Sequence, residues 1–88
     1  MNFLHSREYL NQGDEFIADS THQCNFLIMD DSNFANFKAG RDYRYFGGFF
    51  TSFPASIVIP STGSWNAVIH TGGSPTTIRA SFSVIKHS

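Results

Sequence analysis

The chain has 88 residues, a formal net charge of −1 and a single cysteine. A chain of that length can build one hydrophobic core and no second, so residues 1–88 are expected to form one domain. The near-neutral charge gives no reason to expect nucleic acid as a partner; no membrane is expected either, because no apolar run approaches the ~20 residues of a span.

Taken in chain order, Phe3 to Leu10 fits either a helical turn capped by Ser6 or a strand. Asn11-Gln12-Gly13-Asp14 reads as a turn, and Glu15 to Asp19 as a strand with Phe16 and Ala18 on its inner face. Cys24 to Met29 is almost continuously apolar, as befits a strand covered on both faces at the centre of a sheet. Asp30-Asp31-Ser32 followed by Phe34, Phe37 and Gly40 marks a short helix over about residues 32–39, with a polar cap at its start and glycine at its stop. The two acidic residues would stabilise its N-terminus.

Asp42 to Phe46 alternates rings with charged residues, which predicts a strand broken at Gly47-Gly48. Phe53 to Pro60 is expected to be a strand with Ile57 and Ile59 on one face, bounded by Pro54 and Pro60. After a turn over Ser61 to Ser64, Trp65, Ala67 and Ile69 alternate with Asn66, Val68 and His70. A second turn is expected at Thr71 to Pro75. Thr76 to Lys86 then carries Ile78, Ala80, Phe82 and Val84 in strict alternation.

Six to seven short strands and one short helix predict a mostly β fold, either a compact sandwich or an open barrel. Ten phenylalanines, three tyrosines and Trp65 supply the bulk that so short a chain needs for a core. Charge is unevenly spread along the chain. Glu8, Asp14, Glu15, Asp19, Asp30 and Asp31 face only Arg7 up to residue 31, whereas Lys38, Arg41, Arg44, Arg79 and Lys86 face only Asp42 beyond it. Such a split favours either complementary packing of the two halves or self-association.

No constellation of catalytic residues emerges. His22 and Cys24 are two apart and would share a strand face, yet a structural zinc site needs four ligands, and His5, His70 and His87 are scattered. Cys24 is better read as a small buried core residue than as a nucleophile, and Gly-x-Ser-x-Gly is absent. Neither Gly-Gly pair has the context of a phosphate loop. No catalytic residue, metal or cofactor is therefore assigned. With one cysteine and no basic, apolar leader in Met1 to His5, the expected location is the cytoplasm.

The densest feature is the interleaving of rings with cations between Phe37 and Phe53. Flat apolar faces beside guanidinium or ammonium groups can stack bases or cradle sugars and nucleotides. The candidate ligand-binding residues are Lys38, Arg41, Tyr43, Arg44, Tyr45, Gly47 and Gly48.

A wider pattern runs through the chain: Leu10-x-x-Gly13-Asp14, His22-Gln23-x-Asn25, Met29-Asp30, Asn33-Phe34-x-x-Phe37-x-x-Gly40, Gly47-Gly48, Ile57-x-Ile59-Pro60-x-x-Gly63-x-Trp65 and Gly72-Gly73. In this order it resembles a family of small bacterial domains of unknown function, found alone or N-terminal to TIR domains. His70 departs from it, standing where the family often carries an acid. The resemblance implies a sensor or recognition module and carries no activity with it. The expected function is thus a non-enzymatic binding or recognition module for an unknown ligand or protein partner. The alternatives are a structural module that forms homo-oligomers and, behind both, a small hydrolase or metal enzyme using His22 and Cys24.

Overall fold

Alternating apolar side chains become strands here because pairing satisfies each backbone while one row of side chains is buried. The computed structural model of the protein describes residues 3–71 and 78–87. In chain order they form β1 (Leu4–Leu10), β2 (Glu15–Ser20), β3 (Cys24–Asp30), α1 (Asp31–Lys38), β4 (Phe46–Phe50), β5 (Ala55–Val58), β6 (Gly63–His70) and β7 (Ala80–Ile85). Two antiparallel sheets result, ordered β1-β6-β3-β4 and β5-β2-β7, in a sandwich-like arrangement. The mostly β expectation with one short helix holds, and the ambiguous first segment is a strand. Among the described residues, no helix is long and apolar enough to cross a membrane.

The inner faces meet in one cluster, in which Phe16 and Ala18 of β2 pack with Phe26 and Ile28 of β3 and with Ala67 and Ile69 of β6. Phe82 of β7 closes it, its ring centroid 6.1 Å from Phe16 and 6.3 Å from Phe26. On the opposite face of the larger sheet, Leu27, Met29 and Val68 are covered by Phe34 and Phe37 of α1. Burying each of these two rings contributes roughly 1.5–3 kcal/mol. Being covered on both sides fits the nearly continuous apolar run of β3, and β6 shares that position.

Asp30 is the N-cap of α1, and its Oδ1 accepts the Asn33 N–H at 2.8 Å. The helix thus starts one residue before the predicted range. Gly40, at φ +74°, turns the chain away after it, a conformation that suits glycine. A polar chain ties α1 to the sheet. Buried Asn66 donates through Nδ2 to Asp31 Oδ1 at 2.8 Å and to the Met29 carbonyl at 3.3 Å, and its Oδ1 lies 2.8 Å from His5 Nε2. Asp31 also takes both Nε and an Nη of Arg7, at 2.9 and 2.7 Å. These donors hold the Asp31 carboxyl at a pKa of about 2, the Arg7 guanidinium contributing most.

One element differs from expectation. Asp42 to Tyr45 is irregular, and the strand begins at Phe46 and runs through both glycines instead of breaking there. Pairing with β3 overrides the turn signal, with Gly47 opposite Leu27 and Gly48 opposite Phe26. At Gly47, φ is +108° and a Cβ would stand 2.3 Å from the Phe26 carbonyl oxygen, so only glycine lets the two backbones approach this closely. The turn expected at Thr71 to Pro75 lies, beyond Thr71, outside the described residues, as do Thr76 and the Gly72-Gly73 pair.

The charge split does not become a spatial one. In both sheets, strands from the acidic first part of the chain pair with strands from the later, basic part, as β1 and β3 do with β6 and β2 does with β5 and β7.

Candidate ligand-binding cleft

Where β3 ends and α1 begins, the chain reverses direction, and the irregular residues 41–45 return over the helix to start β4. Contacts with the helix fix that return. The backbone N–H of Arg44 donates to Asn33 Oδ1 at 2.7 Å, and the Tyr43 ring meets Phe37 edge-on at 5.1 Å. On the other side, the register of β3 with β6 sets Trp65 opposite Asp30. These segments enclose an open cleft of about 490 Å³, lined by Met29, Asp30, Asn33, Tyr43, Arg44, Tyr45, Phe46 and Trp65. That volume lies within the usual range of small-molecule sites.

Rings form half of the lining. Phe46 meets Trp65 edge-on at 6.0 Å, and Tyr43 and Tyr45 lie 5.6 Å apart at a 41° tilt. Tyr45 and Phe46 are each 49% exposed, a large apolar area left open to solvent on so small a body. Trp65 is held from behind, its Nε1 donating to the Ser61 carbonyl at 2.8 Å. Asp30 presents one carboxylate oxygen, because Oδ1 is taken up by Ser32 and Asn33. The Asn33 N–H holds its carboxyl below the usual carboxylate range, which keeps it anionic at neutral pH.

Of the seven residues expected at a site, Tyr43, Arg44 and Tyr45 line the cleft. Lys38 does not, since its Nζ sits 4.7 Å above the Phe34 ring. Arg41 is likewise turned aside, donating through Nε to Asn36 Oδ1 at 3.2 Å. Gly47 and Gly48 follow Phe46 along β4 and shape its path without lining the cleft. Met29, Asp30, Asn33, Phe46 and Trp65 were absent from the expected set. A signal for four of them existed, because Met29-Asp30, Asn33 and Trp65 all fall within the pattern that carries the family resemblance.

His22 and Cys24 do not share a strand face, because β3 begins at Cys24 and His22 precedes it in an exposed loop. There His22 Nδ1 lies 2.9 Å from Thr21 Oγ1. The buried Cys24 thiol is pushed above its ordinary pKa by desolvation, which makes it a poorer nucleophile. Among the described residues, no three His, Cys, Asp or Glu side chains converge as metal ligands would.

Comparison with known proteins identifies the family. The family model described as "Domain of unknown function (DUF1883)" covers residues 1–88, and the chain belongs to that family. No curated protein and no solved structure matches significantly.

Proposed function

We propose that this member of the DUF1883 family is a non-enzymatic recognition module that binds a small ligand in the cleft between α1, residues 43–46 and Trp65. The observation that carries this reading is the pairing of exposed rings with an unengaged cation. Tyr45 and Phe46 are half exposed beside Arg44, whose guanidinium makes no hydrogen bond or ion pair among the described residues. Rings normally retreat into the core of so small a domain, so rings held at the surface by a tethered loop fit a contact surface better than a packing accident. The resemblance to bacterial domains that precede TIR domains supports a sensing role, and the single free cysteine supports a reducing compartment. Binding screens against sugars, nucleotides and short nucleic acids test the reading. Affinity for any hit should fall with Arg44→Ala and Tyr45→Ala, and an affinity unmoved by both would overturn it.

Self-association is a second reading, favoured by β4. This strand is an outer edge of its sheet and carries Phe49 at 59% exposure, and an open edge with an apolar side chain is a template for pairing with another copy. Light scattering across a dilution series tests it, and a strict monomer at high concentration would remove it.

A further inference from the structure

The groups of the cleft that lack partners point to the class of ligand. Among the described residues, the Arg44 guanidinium, Asp30 Oδ2 and the hydroxyls of Tyr43 and Tyr45 take part in no hydrogen bond. A ligand that satisfies them must both donate, to the carboxylate oxygen, and accept, from the guanidinium. It must also offer an apolar face to Tyr45 and Phe46.

Charge and ring geometry narrow the choice. Arg44 and Asp30 offset each other, so the cleft is close to neutral. Lys38 and Arg41, which could have gathered around a phosphate, are engaged with Phe34 and Asn36 instead. A phosphorylated ligand would therefore meet one guanidinium and, in the same cleft, the Asp30 carboxylate. An ammonium ligand in an aromatic cage would meet the Arg44 charge in the same way. The ring pairs here are inclined at 41° and 68°, so none forms a parallel slot around a planar base, which would stack on one ring face alone. A sugar needs no such slot. One face of its ring carries C–H groups that pack on a single aromatic face, and its rim carries hydroxyls that both donate and accept.

Resting on the cleft reading above, we infer that the ligand is a neutral saccharide, with one sugar ring stacked on Tyr45 or Phe46 and neighbouring hydroxyls bridging Asp30 Oδ2 and the Arg44 guanidinium. The cleft is open at the surface and larger than one ring requires, which fits a unit within an oligosaccharide.

Amide chemical shifts of the full chain, followed while maltotriose, cellotriose, xylotriose, mannotriose and triacetylchitotriose are added in turn, test the inference, with adenosine monophosphate as the contrasting probe. At least one trisaccharide should move the amides of Asn33, Tyr43 to Phe46 and Trp65 and change the fluorescence of Trp65, the single tryptophan. Tyr45→Ala or Phe46→Ala, whichever removes the stacking ring, should weaken that binding about tenfold, as expected for losing one ring's stacking, and full affinity in both variants would overturn the inference. Arg44→Gln, at an exposed site away from the core, should weaken it too and so keeps the test valid if Phe46→Ala misfolds. Silence with all five saccharides would overturn the inference. If adenosine monophosphate alone moved the same amides, the saccharide class would fall while the cleft stood. A saccharide response confined to residues outside the cleft would overturn both.

Discussion

Asp14 Oδ1 accepts the backbone N–H of His87 at 2.8 Å, joining the turn before β2 to the segment after β7. Its Oδ2 accepts the Asn11 N–H at 2.9 Å, so one buried carboxylate closes its own turn and anchors a distant strand. These two N–H groups, His87 first, lower the pKa of Asp14, and the Ser56 hydroxyl, with His87 behind it, lowers that of Glu15.

Acid should therefore unfold the protein in a defined window. Asp14, Glu15, Asp30 and Asp31 all titrate lower in the folded state than in the unfolded chain, so their stabilisation is fully present above the unfolded values and is lost as pH falls through the folded ones. For Asp31 the window runs from 3.8 down to about 2. Denaturant midpoints measured from pH 7 to pH 2 should stay level at first and then drop as pH falls below the unfolded values, 4.5 for Glu15 and 3.8 for the three aspartates. Asp14→Asn, which leaves Oδ1 able to serve only one of the two N–H donors, should lower the midpoint at pH 7 and flatten the acid limb.

The two adjacent glycines should differ in what they tolerate. Gly47→Ala combines the strain of positive φ, about 1–3 kcal/mol, with overpacking against the Phe26 carbonyl and Ile57, a further ~1–3 kcal/mol. Gly48→Ala meets nothing within 4 Å and incurs only the backbone term. Urea unfolding of the two variants should rank Gly47→Ala well below Gly48→Ala, and equal losses would contradict the close approach of β4 to β3.

How much of this was legible in the sequence depended on the range of the forces involved. The alternation of Phe16 and Ala18, the apolar run of β3 and the Asp30 cap are local signals, and each matched its element. The Gly47-Gly48 pair misled because its role is set by the Phe26 carbonyl, a contact across some twenty residues that turn propensity does not encode. The cleft divided in the same way. Tyr43, Arg44 and Tyr45 stand out as a dense run of rings and cations, whereas Trp65 joins them only through the register that sets it opposite Asp30.

Asn66 should be intolerant of apolar replacement. Asn66→Leu would leave the Met29 carbonyl without its side-chain donor and remove the partner of both Asp31 and His5, at a cost of about 1–3 kcal/mol. Because this amide tethers α1 to β6, hydrogen exchange should accelerate in the helix more than in β2 or β7. A uniform acceleration would argue against the tether.

Cys24 should report local opening. Its burial and raised pKa predict slow reaction with a disulfide reagent at pH 8, with a rate that climbs steeply as denaturant is added. Reaction as fast as that of a free thiol peptide would contradict its place in the core.

The strand order has a consequence for how the chain reaches its native form. Among the described residues, neither β1 nor β2 pairs with a neighbour in sequence, and β3 and β4 are the one consecutive pair that do. During synthesis β1 waits for β6, and β2 waits for β5 and β7, so most of the polypeptide must have left the ribosome before either sheet can close. Such non-local wiring belongs to chains that fold over milliseconds to seconds and expose unpaired edges meanwhile.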